Sequence, residues 1–285
     1  MPPLSQPVVL TIAGFDPCSG AGITADVKTI AAQGCYGIAC ITALTVQSTT
    51  GVRRVEPISG KLISQTLNEL NSDFEIAATR IGMLGSGEVV AAVADFLRET
   101  KARNVVLDPV FKSSSGTKLL DDAAIRQLKT ELLPLATVVT PNVHEATVLT
   151  GLPVNTINEM KAAAAKLHEM GARNVVVTGG HLERAIDLLS VAGNHHFHEQ
   201  TQFSSERLRS SSTHGTGCAF ASALAANLAL GKQLYDAVVL AKAFVKKAIV
   251  SARPLGKGEG PLNHLYRLEE QPRPVQDSLA AGKEH

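Results

Sequence analysis

Apolar residues follow two recurring patterns along this chain. Short runs of Val, Ile and Leu, such as PVVLTIA at 7–13 and NVVLDPV at 104–110, are separated by stretches in which apolar residues recur every three or four positions. Continuous apolar runs are typical of strands buried on both faces, and the three-to-four spacing is typical of amphipathic helices. The alternation predicts an α/β protein with a mostly parallel sheet between two layers of helices.

The same patterns locate the individual elements. Strands are predicted at 7–13, 36–44, 76–84, 104–110, 136–140 and 174–178. Helices are predicted from about 21, near 60–72, 87–100, 121–132 and 156–169, and at about 217–230 and 233–250. The segment 187–203 has the pattern of a hairpin around Gly193-Asn194, which predicts an antiparallel edge to the sheet.

The chain reads as one domain, because no internal repeat or low-complexity linker divides it. We predict a short N-terminal tail at 1–6, a single domain at 7–266 and a polar C-terminal tail at 267–285. The 285 residues, 45% of them hydrophobic, suffice to bury a large core.

Charge and cysteine usage limit the possible partners. The 27 Lys and Arg residues nearly balance 26 Asp and Glu residues, which argues against nucleic acid or a membrane surface as the main partner and favours a small molecule. The apolar helical run Ala219 to Leu230 is too short to cross a bilayer, and we expect no targeting peptide. Four cysteines without a metal-binding spacing fit a cytoplasmic protein.

Polar and glycine-rich segments follow several predicted strands, where ligands of parallel sheets bind. After the first strand, glycines from Gly14 to Gly22 lead into a helix that carries Asp26 in its first or second turn. Such a turn lets a substrate approach the backbone, although it also serves simply to pack a strand against a helix.

Carboxylates follow the next strand ends. Asp108 ends NVVLDPV, and Thr140-Pro141-Asn142 leads to Glu145. Carboxylates at adjacent strand ends are suited to holding Mg²⁺ against nucleotide phosphates. The alternative is a helix cap, because Asn142 and Glu145 have the spacing of a capping box.

The segment from Thr213 to Cys218, with His214, Gly215, Thr216 and Gly217 between them, precedes a helix of small residues. Its backbone amides at a helix N-terminus form a predicted pocket for the charge of a transferring phosphoryl group. We expect the same positive field to lower the pKa of Cys218 and favour a thiolate. The alternative is a small buried residue that packs the start of the helix.

Seven segments occur in an order that resembles the hydroxymethylpyrimidine kinase/phosphomethylpyrimidine kinase family of thiamine biosynthesis. They are Gly14 to Asp26, Ala43-Leu44-Thr45-Val46-Gln47, Ile81-Gly82-Met83-Leu84, Asp108-Pro109-Val110, Thr140-Pro141-Asn142 with Glu145, Gly179-Gly180-His181 and Gly215-Thr216-Gly217-Cys218. The resemblance covers roughly residues 7–265. It implies a ribokinase-like three-layer αβα sandwich with a mostly parallel central sheet and an antiparallel edge hairpin.

The resemblance also implies roles for single residues. The positions that enclose the pyrimidine are Ala21, Asp26, Gln47, Met83 and Val110. The positions on the nucleotide side are Asn142, Glu145, Gly180, Thr213 and the loop Gly215-Thr216-Gly217. Cys218 takes the place of the family's catalytic base, and Asp108 with Glu145 is expected to hold Mg²⁺. An amide such as that of Gln47 is suited to pair with the ring nitrogen and exocyclic amine of an aminopyrimidine.

Three positions depart from the family pattern. Thr178 stands where a lysine commonly precedes Gly-Gly-His, Ser114 stands at another lysine position in DPVFKSSSG, and Ser19 replaces a usual glycine. Lys112 lies two residues before Ser114, which in an extended segment keeps it on the same face. We therefore expect Lys112 to supply the missing cation on the ATP side, although a solvent-facing loop lysine is equally compatible with the sequence.

The implied activity is the ATP- and Mg²⁺-dependent phosphorylation of 4-amino-5-hydroxymethyl-2-methylpyrimidine, and then of its monophosphate, by a cytoplasmic homodimer. One alternative is a pyridoxal/pyridoxine kinase, because a relative of the family shares the Gly-Thr-Gly-Cys motif. Another is a catalytically weak protein that binds a vitamin precursor, suggested by the missing lysines. His195, His196 and His198 are interpreted as a solvated strand edge rather than a metal site.

Overall fold

The computed structural model describes residues 6–180, 185–193, 198–205, 208 and 210–269. The strands are β1 (Val8–Phe15), β2 (Tyr36–Ser48), β3 (Gly51–Pro57), β4 (Ile76–Ile81), β5 (Val105–Leu107), β6 (Val138–Val139), β7 (Asn174–Val177), β8 (Ala185–Ala192) and β9 (His198–Ser205). The α-helices are α1 (Gly22–Ala32), α2 (Gly60–Asp73), α3 (Gly87–Thr100), α4 (Asp122–Glu131), α5 (Val143–Thr150), α6 (Ile157–Glu169), α7 (Thr216–Ala229), α8 (Leu234–Val250) and α9 (Tyr266–Glu269). A 3₁₀ helix spans Leu133–Leu135.

All the described strands belong to one sheet, in the order β3-β2-β1-β4-β5-β6-β7-β8-β9. The central strands from β2 to β7 in this order pair in parallel, and β8 and β9 form an antiparallel hairpin at one edge. The predicted α/β class and edge hairpin are therefore confirmed. Part of the predicted turn, at 194–197, lies outside the described residues.

The opposite edge also ends in an antiparallel strand, β3, which the sequence pattern does not predict. Its residues GVRRVEP are all exposed or only partly buried, so the strand lacks the apolar run that identifies the others. Pairing with the long strand β2 supplies its hydrogen bonds. Most of the predicted tails, at 1–5 and from 270 onwards, lie outside the described residues.

Alternate side chains of each central strand enter two separate cores. Val105 and Leu107 pack with residues of α2, α3, α4 and α6 on one face, whereas Val106 packs with residues of α1, α7 and α8 on the other. This alternation follows from the two-residue period of a strand and produces the expected three layers. In the described part of the chain, no helix has the length and apolar character that crossing a membrane requires.

The parallel strands bring their carboxyl ends to one edge of the sheet. Ile12 of β1 is in register with Ile81 of β4, Ile81 with Leu107 of β5, and Leu107 with Val139 of β6. The segments that follow these strands are therefore neighbours, although they are far apart in sequence. This edge carries most of the predicted site residues.

Candidate active site

The glycine-rich loop after β1 is organised by the carboxylate of Asp16. Its oxygens accept hydrogen bonds from the backbone N–H groups of Cys18, Gly20 and Ala21, at 2.8, 3.2 and 2.9 Å. Although burial alone raises it, the pKa of Asp16 is held below its usual value by a hydrogen bond from His214 and by the backbone donors. The loop is thus built around a carboxylate that stays ionised at neutral pH.

Three of the predicted pyrimidine positions lie near this loop or at the neighbouring strand ends, and all three are partly buried. Gln47 lies near the end of β2, with its amide 3.3 Å from the His214 ring. Met83 follows β4, and its sulfur lies 2.8 Å from the point that a Cβ on Gly14 would occupy. Val110 follows β5, two residues after Asp108. All three therefore follow strands at the same edge of the sheet, and a shared acceptor pocket stays a prediction.

The predicted anion loop lies against the glycine-rich loop and the end of β5. Gly215 has a φ of +84°, and a Cβ there would lie 1.8 Å from the carbonyl oxygen of Gly20, so only glycine fits. A Cβ on Gly217 would lie 4.0 Å from both carboxylate oxygens of Asp108. The N-terminus of α7 therefore faces the carboxylate that the sequence assigns to Mg²⁺.

The hydroxyl groups of the anion loop have partners within the protein. Thr216 donates its hydroxyl hydrogen bond to the carbonyl oxygen of Thr213 at 2.6 Å. The Thr213 hydroxyl donates to Glu259. The loop is held in place by these contacts and by the Thr216 N–H, which donates to the Thr213 carbonyl oxygen at 3.2 Å, so the N–H groups of Gly215 and Gly217 are the part of it best suited to bind an anion.

A buried ion network lies beneath the loop. Arg80 of β4 donates from Nη1 to Asp26 Oδ2 at 2.9 Å and from Nη2 to Asp108 Oδ2 at 2.8 Å. Asp26 also accepts hydrogen bonds from the hydroxyls of Thr11 and Ser222, at 2.7 and 2.8 Å. Arg80 and Asp26 are both 0% exposed.

This network changes the interpretation of Asp26. The sequence predicts contact with the pyrimidine, but both carboxylate oxygens are engaged inside the protein and no surface is left for a ligand. The reason is the position of Asp26 in the second turn of α1, on the face that packs against β4 and α7. We assign Asp26 to positioning Arg80 rather than to binding substrate.

Sequence reasoning missed Arg80 as a site residue. Its signal was a single charge within the otherwise apolar strand segment IAATRIGML. A charge is tolerated inside a core only when partners compensate for its lost hydration, and Asp26 and Asp108 do so here. An isolated charge in a buried strand is thus a sign that acidic partners lie nearby.

Glu145, the second carboxylate that the sequence assigns to Mg²⁺, is also part of the N-terminal cap of α5. The Asn142 side chain accepts from the backbone of His144 and Glu145, and Glu145 Oε2 accepts from the Asn142 backbone N–H at 2.9 Å. The capping box that the spacing suggested is therefore confirmed. Capping occupies one oxygen of Glu145 and does not exclude a second role.

Asp108 and Glu145 have the electrostatic character of a cation site. Burial raises the pKa of Asp108 to about 6, against the opposing effect of Arg80. Burial and the nearby charge of Asp108 raise the pKa of Glu145 well above its ordinary value. In the described ranges there is no cluster of three or more His, Cys, Asp or Glu side chains that would hold a metal ion by itself. Two carboxylates completed by phosphates and water fit the usual coordination of Mg²⁺.

Cys218 lies in the first turn of α7, as predicted, but its ionisation differs from the expectation. Burial raises the pKa of the thiol to about 12; Arg80 lowers it, and Asp26 and Asp108 raise it further. The prediction that the pKa of Cys218 is lowered is therefore wrong. The loss of hydration and the two carboxylates outweigh Arg80 and the backbone hydrogen bond from Gly22.

A cavity of about 400 Å³ opens beside Gln47 and His214. Its other lining residues are Ser48, Thr49, Thr50, Gly51, Val52, Ser113, Ser114, Ser115, Lys257, Gly258 and Glu259. This volume lies in the range of small-molecule sites. The contribution of Lys257 to the lining was not predicted, because it lies in a glycine-rich loop remote in sequence from the motifs.

Lys112 is exposed and, unlike Ser114, does not line this cavity, so the two residues do not share a face as expected; a role for Lys112 on the ATP side stays a prediction. The expectation assumed an extended segment. Instead, Ser113 and Thr117 pair through their backbones and Gly116 N–H donates to the Ser113 carbonyl oxygen at 2.9 Å. Because this turn begins at Ser113, the side chains of Lys112 and Ser114 do not lie on the same face of an extended segment.

The remaining nucleotide-side positions lie at the end of β7. Thr178 pairs with Asn142 through the backbone, and Gly179 N–H donates to Asp187 at 2.9 Å. Gly180 is exposed, and among the described residues no atom lies within 4 Å of the place a Cβ would take. His181, His195 and His196 lie outside the described residues. His198 is partly buried and stacks on His168 at 4.2 Å, so it is less solvated than expected.

The chain is similar to several known proteins. The family model described as phosphomethylpyrimidine kinase matches residues 16–263. A hydroxymethylpyrimidine/phosphomethylpyrimidine kinase of Haemophilus influenzae is 43% identical over 90% of this chain and 96% of its own length. A thiamine biosynthesis bifunctional protein of Geobacter sulfurreducens is 42% identical over 94% of this chain, which spans only 54% of that protein.

A solved structure with a different printed activity is also similar. An ADP complex of Bacillus subtilis pyridoxal kinase has a TM-score of 0.83 and 34% sequence identity. The match covers 93% of this chain and 100% of that one. The fold is therefore compatible with both kinds of kinase and does not by itself select the acceptor.

Proposed function

Because this chain belongs to the phosphomethylpyrimidine kinase family, we propose that it phosphorylates 4-amino-5-hydroxymethyl-2-methylpyrimidine with ATP and then converts the monophosphate to the diphosphate. The observation that carries the proposal is that Gly217, at the N-terminus of α7, lies next to the carboxylate of Asp108. A positive helix end and a carboxylate at one point suit phosphoryl transfer.

Acceptor binding is proposed for the side chains around the glycine-rich loop. Gln47 pairs with the polar edge of the ring, and Met83 and Val110 cover its faces. Ala21 contributes at the start of α1, where its own N–H is already taken by Asp16. Apolar walls with one polar recognition group are typical of small-molecule pockets.

Nucleotide binding is proposed for Asn142, Glu145, Gly180, Thr213 and the backbone of Gly215-Thr216-Gly217. Asp108 and Glu145 would hold Mg²⁺, and the ion would supply charge neutralisation at the phosphates when bound. The backbone N–H groups of the loop orient the transferred group and stabilise its negative charge. These groups are held in place before the substrates arrive, so little reorganisation is needed during transfer.

Cys218 is the proposed base for the alcohol. In the first transfer, the bond between the γ-phosphorus and its bridging oxygen breaks, a bond to the alcohol oxygen forms, and ADP leaves. The alcohol proton passes to Cys218 in its thiolate form. Burial raises the pKa of the Cys218 thiol to about 12, and the positive charge of Arg80 and a backbone hydrogen bond from Gly22 are the influences that favour the thiolate.

The proposed activity is tested by measuring ADP release with each acceptor. The aminopyrimidine alcohol, its monophosphate and pyridoxal are supplied separately at saturating ATP and Mg²⁺. We expect release with the first two at higher kcat/KM than with pyridoxal. A preference for pyridoxal would support the alternative kinase, and binding of the alcohol without ADP release would support a binding protein.

We also propose that the protein is a cytoplasmic homodimer. Ile41, Leu44 and Val46 of β2 are 37%, 48% and 57% exposed, which places apolar surface on the strand next to the edge strand β3. Association with a second copy would remove such surface from water. Sedimentation equilibrium of the full chain, compared with a Leu44→Glu/Val46→Glu variant, measures the association directly.

A further inference from the structure

His214 connects the two loops of the candidate site. Its Nε2 lies 2.9 Å from Asp16 Oδ2 and 3.3 Å from the amide nitrogen assigned to Gln47. The ring is almost buried, and its Cδ2 lies only 2.3 Å from the point that a Cβ on Gly20 would occupy. The ring therefore fits only because residue 20 is glycine. It contacts both Asp16, which organises the glycine-rich loop, and Gln47, the proposed pyrimidine contact.

The protonation of His214 Nε2 follows from its partner. Asp16 accepts backbone hydrogen bonds on both of its oxygens, which stabilises the ionised carboxylate. An ionised carboxylate only accepts hydrogen bonds. The ring nitrogen facing it at 2.9 Å must therefore carry the proton and donate it.

That proton determines how the Gln47 amide is turned. The amide NH₂ is a donor, so it makes no hydrogen bond with a protonated Nε2. Thr45 donates its single hydroxyl hydrogen to the Phe15 carbonyl oxygen at 2.9 Å, so it has none for Gln47 Oε1 at 3.3 Å. Exchanging the amide oxygen and nitrogen suits both neighbours. The oxygen then faces the single Nε2–H of His214, which donates chiefly to Asp16 at 2.9 Å and is shared with the amide oxygen at 3.3 Å, and the amide nitrogen donates to the Thr45 hydroxyl oxygen.

We propose that His214 is a positioning residue that sets the order of donor and acceptor on Gln47 and thereby selects an aminopyrimidine. This inference rests on the proposed function. With the oxygen turned toward His214, Gln47 retains one N–H and one oxygen lone pair for a ligand. These match a ring nitrogen beside an exocyclic amine, an edge that pyridoxal lacks.

The chain also links this recognition to phosphoryl transfer. Gly215, the N-terminal cap of α7, directly follows His214. The residue that orients Gln47 is therefore continuous with the loop proposed to bind the transferred group. Correct orientation of the ring and placement of the reacting oxygen depend on the same short segment.

The test is calorimetric binding of the aminopyrimidine alcohol and of pyridoxal to the full chain. Removing the N–H donor with His214→Phe should weaken binding of the aminopyrimidine about 10-fold or more. Binding of pyridoxal should change less. His214→Gln places an amide N–H near the former Nε2 and should restore part of the affinity.

A double-mutant cycle separates orientation from general damage. Gln47→Leu should cause a loss similar to His214→Phe, and the double variant should lose little more than either alone. His168→Phe is the matched control, because this partly buried histidine hydrogen-bonds Ala172 and Ser190 outside the site. It should leave both affinities unchanged.

The outcomes distinguish the inference from the proposed function. If the unaltered protein binds the aminopyrimidine but His214→Phe weakens both ligands equally, or the two losses add fully, His214 does not orient Gln47. Failure of His214→Gln to bind better than His214→Phe would have the same meaning. If the unaltered protein does not bind the aminopyrimidine, the proposed function itself is wrong.

Discussion

Arg80 Nη2 lies 2.8 Å from Asp108 Oδ2, so a fully buried strand residue holds the carboxylate at the candidate metal site. The opposite end of the same guanidinium group holds Asp26 in α1. This contact joins the core to the site, because moving Arg80 would move Asp108. The position of Asp108 at the candidate metal site therefore depends on the buried positive charge of Arg80.

Replacing Arg80 with methionine should destabilise the protein by about 3–5 kcal/mol, because Asp26 would remain buried without its ion partner. Urea unfolding measures the change. Arg98→Met is the matched control: Arg98 pairs with Asp95 at the surface, and its loss should cost about 1 kcal/mol or less. Equal effects of the two substitutions would contradict a structural role for the buried network.

Cys218→Ala should slow phosphorylation of the alcohol much more than that of the monophosphate. An alcohol must lose a proton during transfer, whereas a monophosphate is already anionic at neutral pH. We expect a loss of about 10² to 10⁴ in the first step if Cys218 is the base. Single-turnover rates with each acceptor measure the two steps separately. Parallel losses would instead indicate a packing or anion-loop role.

Divalent cation binding should strengthen as pH rises through about 6. Below this value Asp108 is protonated, since burial raises its pKa to about 6, and a protonated carboxyl is a poor metal ligand. Titration with Mn²⁺, followed by electron paramagnetic resonance, measures the affinity at pH 5.5 and 8. Asp108→Asn should weaken binding and reduce the pH dependence; an unchanged affinity would place the ion elsewhere.

Gly215→Ala should destabilise the protein more than Gly231→Ala. Both glycines have a positive φ, which costs alanine roughly 1–2 kcal/mol. Only at Gly215 would the added Cβ meet another atom, the Gly20 carbonyl oxygen at 1.8 Å, whereas Gly231 has open space. Thermal unfolding of the two variants compares the costs. Similar melting temperatures would mean that the two loops separate easily.

Lys257→Ala should weaken binding of the monophosphate acceptor more than binding of the alcohol, because Lys257 lines the cavity beside Gln47. We expect a two- to fivefold rise in KM, about 0.5–1 kcal/mol, since the side chain is exposed and its charge is screened. Lys112→Ala is the control, with an exposed lysine outside the lining. A larger effect of Lys112→Ala would restore the role that the sequence assigned to it.

The sequence alone determined the class of the fold and the order of the site segments. Apolar runs such as NVVLDPV predicted the parallel strands, because a strand buried on both faces needs apolar residues at nearly every position. The spacing of Asn142 and Glu145 predicted the capping box, because that contact is local. The edge strand β3 escaped prediction, since its pairing with β2 is its main support and its side chains are largely exposed.

Only the tertiary structure decided what the charged and polar groups do. The sequence predicts that Asp26 contacts the pyrimidine, but the packing of α1 against β4 and α7 buries Asp26 with Arg80. The pKa of Cys218 is likewise raised by burial and by the charges of Asp26 and Asp108, which lie far from it in the chain. Hydrogen bonds and charges act over a few ångströms in space, so their partners are determined by the fold and not by sequence distance.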